Sequence, residues 1–203
     1  MYLSKLEIDM SNPSARQALL DCQDMHRNLM RAFDTTRREA GVLYRIEKSR
    51  RAITLYVLSA CEPAWAALAG QGYRCCGVKE ISALRQLYQE GAVLSFSLRA
   101  CPAKKVCQGG KNSRREFLRS EGERKVWMEH QAEKYGFEVI ALREDSGQKW
   151  IDGNKGDSRI RYGAIDFTGI LRIRNANQFW HSYGSGFGAG KAYGMGLMLL
   201  KRA

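Results

Sequence analysis

Residues 159–174 read RIRYGAIDFTGILRIR, a long run in which apolar and polar side chains alternate. A period of two is the mark of a strand with one face buried, so the run commits this part of the chain to extended structure. It reads as a strand pair, or as one long strand broken at Gly163 or Gly169. The flanking segments give it company. EGERKVWMEHQAEKYGF has helical periodicity, with Val126, Ala132 and Phe137 among its apolar positions and Gly136 at its end. EVIALRED is a strand, ANQFWHSY a short helix and GMGLMLLKRA a terminal strand.

The first half has a similar rhythm. YLSKLEID opens as a strand and SNPSARQ follows as a turn-rich link. Asp21 is placed to cap a helix running to about Phe33. GVLYRIEKSRRAITLYVLSA is a hairpin with a basic tip. EPAWAALAG fits one or two helical turns, ISALRQLYQEG fits helix or strand, and AVLSFSLRACP alternates as a strand. Two such progressions in tandem predict an α+β chain of two ferredoxin-like (βαββαβ, RRM-like) domains, residues 1–92 and 93–203. The length of 203 residues suits two units of about 100 each.

Charge narrows the function. Thirty-three Lys and Arg against twenty-one Asp and Glu leave a net +12, which favours a polyanionic partner. A basic concentration lies mid-chain, in CPAKKVCQGGKNSRREFLRSEGERK, with Lys104, Lys105, Lys111, Arg114 and Arg115. It reads either as a solvated linker or as a segment that contacts phosphates and orders on RNA. The N-terminus lacks the basic and apolar regions of a signal peptide, and no stretch approaches the roughly 18 apolar residues of a membrane span. The six cysteines form no CxxC pair and have no companion His spacing, which points to a reduced cytoplasmic protein without a metal site or cofactor.

The end of the chain, YGSGFGAGKAYGMGLMLLKRA, carries Gly at six of its first fourteen positions and Lys191 among them. Such density suggests a backbone that approaches phosphate. It is not a Walker loop, because Gly190-Lys191 is followed by Ala192 and preceded at the fifth position by Ser185. Gly184-x-Gly186-x-x-Ala189 matches the dinucleotide pattern on paper, but that pattern needs an acidic residue about 20 positions on. Only fourteen residues follow Ala189, none acidic. What remains is nucleic-acid phosphate at Gly186, Gly188, Gly190 and Lys191, or a tight turn whose glycines serve chain reversal and packing.

Of the three histidines, His130 reads as solvated and His181 as structural. His26 differs. On a helical wheel Cys22, Met25, Leu29, Ala32 and Phe33 form one apolar arc, with His26 at its edge, able to reach solvent, and Arg27 and Arg31 further round. It is the one side chain suited to proton transfer near neutrality, although a histidine so placed is often structural.

With these segments in view, the chain resembles the CasE family, the repeat-cleaving endoribonucleases of type I-E CRISPR systems, over essentially its full length. MYLSKLEI, MHRNLMRAF, GAVLSFSLRACPAKK and GFGAGKAYGMGLMLL carry the resemblance in order. It implies a pair of ferredoxin-like domains, and His26 at the family's catalytic position. It also implies metal-independent cleavage of the CRISPR repeat stem-loop through 2′-OH attack. The product guide would stay bound within Cascade, beside other subunits including the backbone subunit that coats it. Arg159 and Arg161 fall where the family sets a basic hairpin against the stem. Arg27, Arg31 and Lys191 are candidates for charge stabilisation. Two positions depart from the pattern: Gln23 stands where many members have Tyr, three residues before the histidine, and Cys101 stands where they have Asn. Gln can donate a hydrogen bond but cannot act as acid or base. A non-catalytic stem-loop-binding subunit, or a general basic RNA chaperone, are the rival expectations.

Overall fold

The structure is a computed structural model and describes residues 1–107, 113–155 and 158–203. Strand β1 (Tyr2–Ile8) buries Ser4, Leu6 and Ile8 on one side. Helix α1 (Pro13–Leu20) follows, its first turn capped by the Asn12 side chain, which accepts from the N–H groups of Ser14 and Ala15. This corrects the turn-rich link expected over SNPSARQ. Asn-Pro is a turn signal, but Asn at the cap with Pro at the first helical position starts a helix equally well, since the donor that Pro lacks would have no partner there.

Asp21 caps α2 (Cys22–Met30) as expected, accepting from the N–H groups of Gln23 and Asp24. The helix stops short of Phe33; Ala32 and Phe33 continue it only through bonds to Leu29 and Met30, three residues back. The short α3 (Arg37–Ala40) ends at Gly41, whose φ of 56° is a left-handed conformation that Gly adopts without cost. Then come the hairpin β2 (Leu43–Lys48) and β3 (Ile53–Ser59), a 3₁₀ turn at Trp65–Leu68, and β4 (Tyr73–Glu80).

These strands form an antiparallel sheet in the order β2-β3-β1-β4. Helices α1 and α2 cover one face, where Leu6, Met25, Leu29, Leu55 and Val57 are at most 1% exposed. Burying each such side chain contributes about 1.5–3 kcal/mol, so this face holds the first unit together.

One helical turn, α4 (Leu84–Leu87), connects to β5 (Val93–Ala100). The basic mid-chain segment is not a plain linker. Its described residues form two strands, β6 (Ala103–Cys107) and β7 (Ser113–Phe117), which among the described residues pair only with each other. Helix α5 (Glu121–Lys134) starts at a capping box between Ser120 and Glu123 and buries Met128 and Ala132. Val126, expected among its apolar positions, is 49% exposed, because it points away from the sheet.

Strands β8 (Phe137–Lys155) and β9 (Ser158–Ile173) form a long hairpin. The expected break at Gly163 or Gly169 is absent: β9 runs through both. The irregularities fall instead on β8, where the register shifts at three places between Val139 and Lys149. Both glycines are required by close approach. A Cβ at Gly169 would lie 2.0 Å from the Ala141 carbonyl oxygen, and one at Gly163 would lie 2.5 Å from the Phe117 ring. Helix α6 (Ala176–Ser185), a 3₁₀ turn at Lys191–Tyr193 and β10 (Met198–Arg202) complete a second sheet, β10-β5-β9-β8. Its order matches the first, as tandem ferredoxin-like units require.

The two units share a core. Leu43 and Leu58, on the face of the first sheet opposite its helices, pack in one cluster with Phe96, Phe167 and Phe179 of the second. Polar bonds seal the edge: Arg99 donates from Nη1 to the Ile46 carbonyl at 2.8 Å, and Arg45 from Nη2 to Ser97 Oγ at 2.9 Å. No described helix is long and apolar enough to cross a membrane.

Candidate functional site

Helix α2 lies against β8 and against the 3₁₀ turn at Lys191–Tyr193, so a helix of the first unit touches two elements of the second. Three side chains carry this contact. Asp21 accepts from the backbone N–H and the side-chain amide of Asn154, both at 3.0 Å. Cys22 meets Gly153 so closely that a Cβ there would be 2.5 Å from its sulfur. Gln23 donates from Nε2 to the Tyr193 phenol oxygen at 2.9 Å, and the Tyr193 ring stacks on Tyr162 with centroids 5.4 Å apart. His26 is three and four residues on from Gln23 and Cys22. Side chains at those spacings share a helix face, so His26 lies on the stripe of α2 turned to the second unit.

His26 is 8% exposed, not open to solvent as its place on the wheel suggested. Its Nδ1 is buried and has no hydrogen-bond partner among the described residues. Burial first, and then the positive charge of Arg37, push its pKa down to about 4, so the imidazole is neutral at pH 7. A buried imidazole nitrogen without a partner is costly.

The other candidates divide into three places. Arg27 and Arg31 are exposed and leave the His26 stripe; Arg27 pairs with Asp24 and Arg31 with Gln71. Arg37 is the cation that His26 feels, and sequence reasoning missed it because ten intervening residues hide the proximity. Arg159 and Arg161 sit on β9, both paired with Asp152 at 3.4 and 3.5 Å. Lys104 and Lys105 on β6 and Arg115 on β7 are exposed. Lys105 stands directly opposite Arg115 in the hairpin, a like-charge pairing that is unfavourable without a counter-anion. Lys111 lies outside the described residues, as does the side chain of Arg114.

The glycine-rich end is packed against protein. A Cβ at Gly186 would meet Leu43 at 2.8 Å, one at Gly188 would meet Trp127 at 3.3 Å, and one at Gly190 would meet Met195 at 2.1 Å. All three have positive φ, so reversal and close packing explain their number. Lys191 is half-buried, and desolvation, followed by the charge of Lys134, lowers its pKa. The substitution at Cys101 also finds a place. Its backbone bridges to Ala189, which joins the end of β5 to the glycine-rich segment, and burial pushes its thiol up to about 11. His130 and His181 are both exposed, so the structural reading of His181 is corrected.

A cleft of about 580 Å³ runs beside α2, lined among others by Cys22, Tyr193, Arg99, Lys149 and Trp150. Arg99 holds Asp166 through two bonds of 2.6 and 2.9 Å, and Lys149 bonds the same carboxylate. Burial alone would raise the Asp166 pKa, but these cations hold it down to about 2. Among the described residues, no three His, Cys, Asp or Glu side chains gather as a metal site would need.

Known proteins share this architecture. The chain is 28% identical to the CRISPR-associated endoribonuclease Cse3 of Thermus thermophilus, over 98% of both chains. It superposes on a CRISPR endoribonuclease Cse3 bound to a 19-nucleotide RNA with a TM-score of 0.87, at 26% identity, covering 99% of this chain and all of the other. A subunit of a CRISPR RNA-guided surveillance complex in a pre-nicking state shares the fold over the full length of both chains, with a TM-score of 0.74 at 22% identity. Residues 1–202 match the family described as CRISPR associated protein, and the chain belongs to that family.

Proposed function

We propose that this protein is an endoribonuclease that cuts the repeat stem-loop of CRISPR precursor RNA and keeps the product. The observation that carries the reading is His26: a neutral imidazole on the helix face turned to the second unit, in a chain that matches an RNA-bound Cse3 end to end. A neutral imidazole accepts protons. It takes the proton of the 2′-OH as that oxygen attacks the adjacent phosphorus. The bond from phosphorus to the 5′ oxygen breaks and that oxygen takes a proton from water, leaving a 2′,3′-cyclic phosphate and a 5′-hydroxyl. No metal ion takes part in this scheme. General-base help is worth about 10²–10⁴-fold; alignment of the attacking oxygen and cations near the phosphate supply more.

In this reading residues 1–92 form the domain that carries His26 and residues 93–203 the domain that presents most of the basic surface. Lys104, Lys105, Arg115, Arg159 and Arg161 hold the stem, mainly by shape and phosphate, because the deep, narrow major groove of A-form RNA excludes side chains. The protein works in the cytoplasm as a Cascade subunit. The deciding experiment is single-turnover cleavage of a repeat hairpin in EDTA by wild type and His26→Ala, with analysis of product ends. Cleavage at the stem base by wild type alone, leaving a cyclic phosphate, supports the reading.

Gln23 favours a second reading, a binding subunit without chemistry, since its amide is engaged with Tyr193 and cannot transfer protons. Tight binding with no cleavage by either protein would establish it.

A further inference from the structure

Trp150 is 50% exposed on β8, an unusual place for the largest apolar side chain. Its surroundings are built. Gly163 stands opposite it on β9, and the space left by the missing side chain is filled by Phe117 from the β6–β7 hairpin, whose ring is 6.3 Å from Trp150 at 44°. Arg161, two residues before Gly163, places its guanidinium 4.5 Å from the Trp150 ring centre. Trp150 is thus held by two hairpins while half of its surface stays open.

It is also the ridge between two clefts. One is the cleft beside α2; the other, about 780 Å³, is lined by Lys104, Arg115 and Arg119 with Glu116 and Glu123. Around the ridge two aspartates each serve two cations. Asp152 is shared by Arg159 and Arg161, and Asp166 by Arg99 and Lys149, which leaves surplus positive charge on both sides of the indole. An exposed aromatic ring flanked by arginine, between cationic grooves, matches the chemistry of a stacked nucleobase with phosphates on either side. Bases inside a duplex have both faces covered, so the interior of the stem cannot supply the occupant, whereas an unpaired base can.

We infer that Trp150, with Arg161, is a stacking site for an unpaired RNA nucleobase next to the stem. This rests on the RNA-binding reading above. The test uses two hairpins with the same stem, one blunt and one with a single-stranded flank that carries 2-aminopurine at successive positions. With the flanked hairpin, 2-aminopurine at one flank position should be quenched on binding. Trp150→Ala should abolish that quenching and weaken affinity roughly 5- to 150-fold. The blunt hairpin should bind both proteins alike, and Trp150→Phe should keep most of the quenching. Equal losses for both hairpins, with Trp150→Phe as weak as Trp150→Ala, would mean that Trp150 only supports the fold, and would overturn the inference. Unchanged affinity and quenching in Trp150→Ala would overturn it while leaving RNA binding intact. Failure of wild type to bind either hairpin would overturn the RNA-binding reading itself, and the stacking site with it.

Discussion

The carboxylate of Asp21 does two jobs at once: Oδ1 caps helix α2 and Oδ2 grips Asn154 of the second unit through two bonds of 3.0 Å. Burial opposes the charge, but these hydrogen bonds outweigh it and lower the Asp21 pKa. The residue that starts the helix bearing His26 therefore also fixes that helix against β8. Separating the two jobs is the first test. Asn154→Ala removes a side-chain bond across the units and leaves the cap, whereas Asp21→Ala removes both. We expect Asp21→Ala to lose the cap contribution of about 0.5–2 kcal/mol in thermal melts and to cleave more slowly. Asn154→Ala should slow cleavage with a smaller loss of stability.

Gly153 tests the closeness of the same contact. Its φ is ordinary, so the argument is space alone: an added Cβ would lie 2.5 Å from Cys22 Sγ and 3.0 Å from Asp21 Oδ1. Gly153→Ala should destabilise by about 1–3 kcal/mol, as overpacking does, and reduce cleavage. Adding Cys22→Ala should recover part of both losses. Purely additive effects in the double mutant would show that the two residues do not press on one another.

The Gln23–Tyr193 bond predicts a split between binding and chemistry. Tyr193→Phe keeps the ring stacked on Tyr162 but leaves the Gln23 amide without its acceptor. RNA affinity should change little, while single-turnover cleavage should fall several-fold as the surroundings of His26 loosen. A parallel loss of affinity would place Tyr193 in the RNA-contact surface instead.

His26 sets a pH signature. Its pKa is about 4 folded against 6.5 as an ordinary imidazole. Between those values the unfolded chain binds more protons, so stability rises with pH and is lost as pH falls from 6.5 toward 4. The contribution is at most about 3 kcal/mol. Urea denaturation at steps from pH 4 to 7 should show this slope in wild type and a flatter one in His26→Gln. For kcat/KM, which reports the free enzyme, the His26 limb should fall below pH 5 and leave the range 6–8 flat. A limb centred near 6.5 would contradict the buried neutral state.

The buried ion cluster offers a stability test away from the proposed chemistry. Asp166→Ala leaves Arg99 and Lys149 facing one another without their shared carboxylate. Breaking such a pair costs about 3–5 kcal/mol, and Arg99 also bonds the Ile46 carbonyl across the units. Calorimetry should show a lower Tm.

The residues themselves determined a good deal. Alternation located β1, the β2–β3 hairpin, β5 and β9, and Asp21 announced the start of α2, because period and capping are local properties written in neighbouring residues. The same local signals misled where tertiary contact overruled them. Asn12-Pro13 became a helix start, Gly163 and Gly169 stayed inside a strand because Phe117 and Ala141 press on them, and Val126 faced solvent. His26 was visible as a proton-transfer candidate. Its burial, its unpartnered nitrogen and the charge of Arg37 were not, since they come from packing between distant segments. Only the fold could bring Gln23 to Tyr193 and Asp21 to Asn154, across 170 and 133 residues. Contacts at that separation leave no periodic trace in the sequence; two sheets must first close on a common core before these side chains meet.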